Sequence, residues 1–258
     1  MKSVIYLWHN RALIFGVPAD TAPHSHYALQ LSIGLDKKFA LRSGNNQKPE
    51  TMRAALIAAN ARHIFDGAGG TVVNLYLDPE SRQAREITNK FPFKSHLEIE
   101  AGHIKPFLPH LRKGLAESLN CAEAFSLTED LLENLFQTQK AETPLDSRIG
   151  LALEILKNAP DNLISADAVA RKVCLSPGRF AHLFRAETGL PVRRYLLWMR
   201  LRRALRMLGE NDSLTTAAHA AGFADSAHLT RTFRQMFGLA PSEIFQNSRF
   251  VQVRFCDE

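Results

Sequence analysis

The sequence predicts an α+β protein whose N-terminal part is a β-barrel or β-sandwich and whose C-terminal part is helical. Three observations predict this class. Short apolar runs fill residues 1–80, helical periodicity replaces them from Pro79 onward, and two similar stretches lie near the C-terminus. At 258 residues with 45% hydrophobic content, the chain is long enough to bury two cores.

The first 80 residues have the pattern of a β-domain. Their apolar runs are VIYLW, ALIFG, ALQLSIGL, KFALR, AALIAA and TVVNLYL, separated by Asn, Asp, Gly and Pro. Runs of this length between turn-forming residues are typical of short strands in a sandwich or barrel. We therefore expect seven or eight strands in a domain that covers residues 1–80.

Three helices are expected next, near residues 79–90, 104–118 and 122–140. In the third, Ala124, Leu127, Leu131 and Leu135 recur at helical spacing and form one apolar face. That face packs either against the chain's own core or against a second copy. Residues 81–141 are thus predicted to be a helical segment that can pair two subunits, and residues 142–145 (ETPL) a linker to a domain over residues 145–248.

Residues 169–189 and 217–238 are two copies of one unit, VARKVCLSPGRFAHLFRAETG and AAHAAGFADSAHLTRTFRQMFG, offset by 48 and then 49 positions. Each copy predicts a short helix, a turn and a second helix, which is a helix-turn-helix. Ala170 and Ala218 supply the small residue that the helix crossing needs. Ser176 followed by Pro177 predicts the N-cap and first position of the second helix.

The second helix of each copy has an inner and an outer face. Phe180 with Phe184, and Leu229 with Phe233, are four residues apart and should be buried together. The opposite faces carry basic and hydrogen-bonding groups that suit phosphates and base edges, and Gly178 allows close backbone approach. The candidate DNA contacts are Gly178, Arg179, His182 and Arg185 in the first copy and Ser226, His228, Thr230, Arg231 and Arg234 in the second.

The turns of the two copies differ at one position. Gly222 suits a backbone of positive φ after a helix, whereas Cys174 occupies the same place in the first copy. Either the first turn avoids positive φ or it carries strain of about 1 kcal/mol.

Residues 191–208 (PVRRYLLWMRLRRALRML) predict one amphipathic helix between the copies. Its length, about 25 Å, is enough to hold the two outer faces in major-groove segments about 34 Å apart. One chain should therefore contact two successive grooves.

Positive charge is concentrated in this region. Residues 171–234 contain twelve Arg and Lys against four Asp and Glu, a net charge of +8, whereas residues 1–143 carry +1 and the whole chain +6. Such a distribution favours phosphate binding and counterion release. The alternative is a solvated helix face.

From about residue 145 to 245 the chain resembles the DNA-binding domain of the AraC/XylS transcription regulators. This resemblance implies seven helices, two helix-turn-helix units, promoter binding and RNA polymerase as a partner. Three positions depart from the family pattern: His182 replaces arginine, Ala227 serine and Leu229 an aromatic residue. The matching residues are Tyr195, Leu196, Arg200, Leu201, Ala204, Leu208, Ala218, Gly222, Phe223, Asp225, Arg231, Phe233, Gly238, Pro241 and Ser242.

The N-terminal segment resembles a cupin-type sensor domain. His24 and His26, with Gln30 four residues on, are similar to the first cupin motif, and Asn60 to His63 are similar to the second. On a strand, His24 and His26 project to one face. With His63 they could hold a divalent metal at about 2.0 to 2.2 Å, or they could be hydrogen-bonded groups in the pocket of a small-molecule effector. Gln30 replaces the acidic ligand of metal cupins.

Cys121, Cys174 and Cys256 show no metal-binding spacing and are expected to be packing residues. No apolar run approaches about 20 residues, and the N-terminus lacks a cleavage-site pattern. The sequence therefore predicts a cytoplasmic protein without a membrane partner.

These features predict a homodimeric, ligand-responsive transcription regulator that binds double-stranded DNA and is not an enzyme. One alternative is a cupin-type metal enzyme, a dioxygenase or isomerase, fused to a DNA-binding domain. Another is a DNA-binding module whose N-terminal half is a scaffold without a ligand.

Overall fold

The structure, a computed structural model, describes residues 3–8, 10–16, 20–43, 48–117, 119–138, 145–157, 165–189, 191–210, 212–245 and 251–256. Strands dominate its N-terminal part and helices its C-terminal part, which confirms the α+β class. The chain divides into two compact units. The first comprises residues 1–140 and 233–258, and the second comprises residues 141–232.

In the described part of the chain, eight strands occur within the first 80 residues, as expected, and two further strands lie outside them. These two, which the apolar runs do not indicate, are β9 (His96–Ile99) and β10 (Val251–Phe255). The first eight are β1 (Ser3–Leu7), β2 (Arg11–Phe15), β3 (Leu29–Gly34), β4 (Phe39–Ser43), β5 (Glu50–Met52), β6 (Ala54–Ile57), β7 (His63–Asp66) and β8 (Val72–Leu77).

The strands form a seven-stranded sheet in the order β10-β1-β2-β8-β3-β6-β9 and a three-stranded sheet in the order β5-β4-β7. Strand β10 pairs in parallel with β1, from Ser3 opposite Val251 to Leu7 opposite Phe255. This pairing returns the C-terminus to the first unit. The break between the two units after residue 140 lies within one residue of the predicted end of the helical segment, and the ranges 1–80, 81–141 and 145–248 stay predictions.

Four helices pack against one face of the large sheet. They are α1 (Arg82–Lys90), α2 (Ala101–Ile104), α3 (Leu108–Glu117) and α4 (Cys121–Phe136), and a 3₁₀ turn, Lys105–Phe107, joins α2 to α3. Leu13 and Leu31 both pair with Leu75 and share one apolar core with Ile87 of α1 and Leu131 of α4.

The apolar face of α4 belongs to this core. Ala124, Leu127 and Leu131 are buried in it, and Leu135 is partly buried against it. The sequence left open whether this face packs against the chain's own core or against a second copy. In the structure it packs against the chain's own core. Homodimer formation stays a prediction, and it needs a surface other than this face.

Two of the three cysteines correct the sequence-based expectation. Cys121, the first residue of α4, and Cys256, which follows β10, form a disulfide with their Cα atoms 5.5 Å apart. Their separation of 135 residues hid this contact, because only the pairing of β10 with β1 brings the C-terminus to α4. Cys174 is a free, exposed thiol.

The opposite face of the large sheet meets the small sheet. Phe39 and Phe65 of the small sheet pack with Ala55 and Ile57 of β6 in a second, smaller core. Ile57 pairs with Gln30 of β3, so Gln30 points to this face as well.

Seven helices follow among the residues described beyond position 144, the number that the resemblance implies for this region. The helix α10 begins in the second unit and ends in the first, and residues 139–144, which include most of the predicted linker, lie outside the described residues. No helix of the described part of the chain is long and apolar enough to cross a membrane. The helices are α5 (Ser147–Lys157), α6 (Ala166–Lys172), α7 (Pro177–Thr188), α8 (Val192–Gly209), α9 (Leu214–Ala220), α10 (Ser226–Phe237) and α11 (Pro241–Phe245).

The turns after α6 and α9 have the same hydrogen-bond pattern. The Leu175 N–H donates to the Ala170 carbonyl at 2.9 Å, and the Phe223 N–H donates to the Ala218 carbonyl at 2.9 Å. These six-to-one bonds belong to Schellman motifs, in which the preceding residue is left-handed. Gly222 has φ of 77° and Cys174 has φ of 56°, so the first turn adopts positive φ with a side chain in place.

Candidate functional site

Helix α7 presents the first set of candidate DNA contacts to solvent. The Ser176 hydroxyl accepts a hydrogen bond from the Arg179 N–H at 3.3 Å, and Pro177 is the first helical residue, as predicted. Phe180 and Phe184 are buried with their rings 5.5 Å apart. With this inner face fixed, the outer face is exposed, and it carries Gly178, Arg179, His182 and Arg185.

Helix α10 presents the second set less uniformly. Arg231 and Arg234 are exposed, whereas Ser226, His228 and Thr230 are half-buried. The Thr230 hydroxyl donates to the Ser226 carbonyl at 2.8 Å, and the His228 ring lies 5.3 Å from that of Phe223. The two arginines are therefore the members of this set best placed to reach a partner.

Helix α8 lies between the two helix pairs and contacts α7 and α9. Its buried positions, Tyr195, Trp198, Leu201, Ala204 and Leu208, recur at helical spacing. Its 18 residues correspond to a rod of about 27 Å. The predicted amphipathic helix is thus confirmed, with bounds shifted by one residue at each end.

The first unit brings together the three histidines that the sequence singles out. His24 and His63 exchange both backbone hydrogen bonds, at 3.0 and 2.9 Å. The Asn60 N–H donates to the His26 carbonyl at 2.8 Å, and Asn60 has a left-handed φ of 62°, which asparagine adopts more readily than most residues. All three imidazoles are buried, and their ring centroids are 4.1 to 5.7 Å apart.

Each imidazole has the same backbone contact. The Nδ1 atoms of His24, His26 and His63 lie 2.9 Å from the carbonyl oxygens of Ala22, Ala28 and Ala61, respectively. Because a carbonyl can only accept, each Nδ1 carries the proton and donates. The lone pair is then on Nε2, the nitrogen left to accept a proton or bind a metal.

Burial lowers the pKa of all three histidines and is the largest cause for each one. It lowers the pKa of His26 to about 4, with a contribution from the neighbouring His24. The pKa of His24 is lowered, and that of His63 is well below its usual value. At neutral pH the cluster is therefore a set of uncharged nitrogen donors.

A buried polar network borders the cluster. The Gln30 amide oxygen lies 2.6 Å from Nε2 of His26, and the Gln30 amide nitrogen donates to the Ser32 hydroxyl at 2.8 Å and to Oδ1 of Asn74 at 3.2 Å. Tyr76 lies against His26 at 5.3 Å between centroids, and burial raises the pKa of its phenol.

Sequence reasoning did not select Ser32, Asn74 or Tyr76. One available signal was the polar pair Gln30 and Ser32, two residues apart in an otherwise apolar strand, which places both on one face. The sequence around Asn74 does not indicate its role, because only the pairing of β3 with β8 places it opposite Ser32.

The loop that carries His24 also holds the end of α10. The Ala22 N–H donates to the Gly238 carbonyl at 3.0 Å, and the Ser25 N–H donates to the Gln235 carbonyl at 3.1 Å. Gly238 has φ of 70°, and a Cβ atom there would lie 2.8 Å from Nδ1 of His24. This close approach is possible because the residue is glycine.

Comparisons with known proteins agree with the helical part of this description. A family profile described as a helix-turn-helix domain matches residues 169–247. The HTH-type transcriptional activator RhaS of Pectobacterium carotovorum is 27% identical over 229 residues, which cover 81% of this chain and 78% of that protein. The arabinose operon regulatory protein of Escherichia coli is 30% identical over 124 residues, 46% of this chain and 42% of that protein.

Solved structures give the same fold over a longer span. ToxT from Vibrio cholerae superposes with a TM-score of 0.56 at 12% identity, covering 90% of this chain and 95% of that chain. The fold is thus shared across both units. Together with the residue pattern over residues 145–245, the matches show that the chain is similar to DNA-binding transcription regulators such as RhaS and the arabinose operon regulatory protein.

Proposed function

We propose that the chain binds promoter DNA through two helix-turn-helix units, α6 with α7 and α9 with α10, and that a cupin-like first unit makes this binding depend on an effector. The observation that carries the proposal is the repeated outer face. In both helix-turn-helix units, the apolar side of the second helix is buried and the arginines on its other side are exposed.

The charge distribution supports a nucleic-acid partner. The net charge of +8 over residues 171–234 lies on the helices with exposed arginines, and a duplex offers a phosphate about every 1.7 Å along its axis. Arginine at a groove face can donate two hydrogen bonds to one guanine. Arg179, Arg185, Arg231 and Arg234 are the side chains to which we assign such contacts.

The buried polar face between the two sheets supports a sensor role for the first unit. Gln30, Ser32, Asn74 and three histidines are buried there, whereas the opposite face of the same sheet carries the large apolar core. ToxT, which shares this fold, is described in a complex with an unsaturated fatty acid, so a chain of this fold can bind a small molecule. We propose a homodimer that engages RNA polymerase, and a regulator rather than an enzyme.

Duplex selection tests the DNA proposal. A random-sequence pool incubated with the full chain should yield one motif, and Arg231→Ala should weaken binding to it by about 1 to 3 kcal/mol, the effect of losing one good base contact. Arg42→Ala, an exposed arginine on β4, is the control and should leave the affinity unchanged. Failure to enrich any motif would contradict sequence-specific binding. An unchanged affinity of Arg231→Ala for the motif would show that Arg231 does not contact the DNA.

A further inference from the structure

We propose that the effector is a divalent transition-metal ion of the zinc class, held by Nε2 of His24, His26 and His63 and by the amide oxygen of Gln30. The metal site stands on the geometry of the first unit alone. Its regulatory role rests on the proposed function, because it requires that the chain bind DNA.

The three imidazoles are close enough to share one ion. One ligand nitrogen from each ring lies within 4.8 Å of the other two, whereas neighbouring ligands of a tetrahedral zinc ion, each at about 2.1 Å from it, are about 3.4 Å apart. The nitrogens would therefore have to move together by up to about 1.4 Å to bind one ion. The backbone bonds between His24 and His63 and between Asn60 and His26 hold the three residues in this arrangement without an ion.

The Nδ1 contacts provide the outer support that metal-binding histidines use. An imidazole that binds a metal through one nitrogen usually donates the other N–H to a carbonyl or carboxylate. Here all three donate to backbone carbonyls two residues away. Each ring is therefore fixed in the tautomer that leaves Nε2 available.

His63 provides a second and independent observation. Its side chain is 1% exposed, and its Nε2 atom is buried without a hydrogen-bond partner among the described residues. A buried acceptor left unpaired is costly and therefore uncommon. An ion among the three rings would give this nitrogen a partner.

Gln30 supplies the fourth ligand. Its amide oxygen faces Nε2 of His26 at 2.6 Å, so two acceptors point at each other. In this orientation the Gln30 amide nitrogen donates to the Ser32 hydroxyl and to Oδ1 of Asn74. Two opposed acceptors are reconciled by a cation, and a bound metal removes the conflict while the histidines stay neutral.

The donor set selects the class of metal. Imidazole nitrogens suit zinc, copper, nickel and iron, whereas magnesium and calcium favour oxygen-rich, mostly carboxylate sites. Three nitrogens and one amide oxygen carry no negative charge. Affinity should therefore be lower than for a site with a carboxylate, which suits reversible sensing.

The His24 loop gives the site a route to the DNA-binding helices. Backbone bonds join Ala22 and Ser25, on either side of His24, to the last turn of α10. A movement of the His24 backbone on metal binding would be transmitted through these bonds to the end of α10. Because α10 carries Arg231 and Arg234, metal binding should change the affinity for DNA.

Metal titration of the chelator-treated full chain tests the site. Zn²⁺ should bind at one equivalent per chain by native mass spectrometry and calorimetry, and Co²⁺ should give the visible absorption bands of a nitrogen-ligated ion. His63→Ala should weaken Zn²⁺ binding by more than about tenfold, while His103→Ala, an exposed histidine on α2, should not. Substoichiometric binding, or equal affinity in both variants, would overturn the site.

A gain-of-affinity variant keeps the test independent of folding. Gln30→Glu replaces a neutral oxygen ligand with a carboxylate and should tighten Zn²⁺ binding by about tenfold or more. An unfolded protein cannot produce such a gain. Zn²⁺ affinity that is unchanged or weaker in folded Gln30→Glu would remove Gln30 from the ligand set.

Regulation is measured on the selected duplex with and without Zn²⁺. We expect a change in affinity of at least fivefold in the parent chain and none in His63→Ala. Metal binding without an effect on DNA affinity would overturn the regulatory role and leave the site standing. DNA binding without metal binding would overturn the site and leave the proposed function standing, and enrichment of no duplex would contradict the proposed function alone.

Discussion

At the scale of single residues, a side chain whose role depends on local spacing could be predicted from the sequence. Ser176 and Pro177 start α7, and the apolar pairs four residues apart are buried, because helix geometry alone determines both. The partners of His24 depended on backbone pairing between distant segments. The sequence therefore predicted the three histidines as a group but not the network of Ser32 and Asn74 beside them.

Cys174 predicts a stabilising substitution. Its φ of 56° costs of the order of 1 kcal/mol for a residue with a Cβ atom, and its side chain is exposed. Cys174→Gly should therefore raise the free energy of unfolding by up to about 1 kcal/mol, less the greater chain entropy of glycine. Urea denaturation followed by circular dichroism measures this change.

Gly222→Ala is the reciprocal variant, at the matching position of the second turn. Its φ of 77° should make alanine destabilising by about 1 kcal/mol. Stabilisation by Gly222→Ala, or clear destabilisation by Cys174→Gly, would show that the two turns do not share one backbone requirement.

At the scale of elements, the helices and the first eight strands could be predicted, whereas β9, β10 and the disulfide could not. Strand β10 has five residues and is a strand because it pairs in parallel with β1, more than 240 positions away. Its contact with α4 through Cys121 and Cys256 follows from that pairing. Long-range pairing is the information that periodicity does not contain.

The disulfide should stabilise the first unit. Closing a loop of this length restricts the unfolded chain, an effect typically of about 2 to 4 kcal/mol. Cys256→Ser should therefore lower the unfolding midpoint of the non-reduced protein, and it should have little effect once reductant is present. Cys174→Ser is the control that leaves the bond intact.

Alkylation checks the cysteine assignment directly. Denatured without reductant, the parent chain should take up one alkyl group, at Cys174, and with reductant it should take up three. Uptake of three groups without reductant would contradict the bond.

The ends of α7 and α10 offer a matched pair of glycines. Gly189 and Gly238 have φ of 77° and 70°. A Cβ atom at Gly189 would meet no described residue within 4 Å, whereas one at Gly238 would lie 2.6 Å from the Cβ of Thr21. Both alanine variants should lose about 1 kcal/mol to backbone strain, and Gly238→Ala about 1 to 3 kcal/mol more to overpacking.

Chemical denaturation of the two variants measures that difference. Gly238→Ala should also weaken Zn²⁺ binding, because the added methyl group displaces His24, whereas Gly189→Ala should not. Equal losses of stability in the two variants would show that the His24 loop does not rest against the end of α10.

At the scale of the whole molecule, the sequence predicted the α+β class and the helical DNA-binding half, because the repeat and its charge are local features. It did not predict that residues 233–258 join the first compact unit. The two helix pairs remain linked through α8, which contacts both α7 and α9. If both pairs contact DNA as proposed, a link of fixed length sets the spacing of the two contacts.

This rigidity predicts a strict spacing in the DNA. Inserting 5 base pairs between the two halves of the selected motif turns one half about half a turn away from the other and moves it about 17 Å along the axis. Because α8 is one continuous helix of about 27 Å, it cannot follow. Affinity should fall by more than tenfold in a gel-shift titration, whereas the same insertion outside the motif should have no effect. Unchanged affinity with the internal insertion would mean that only one helix pair contacts the duplex.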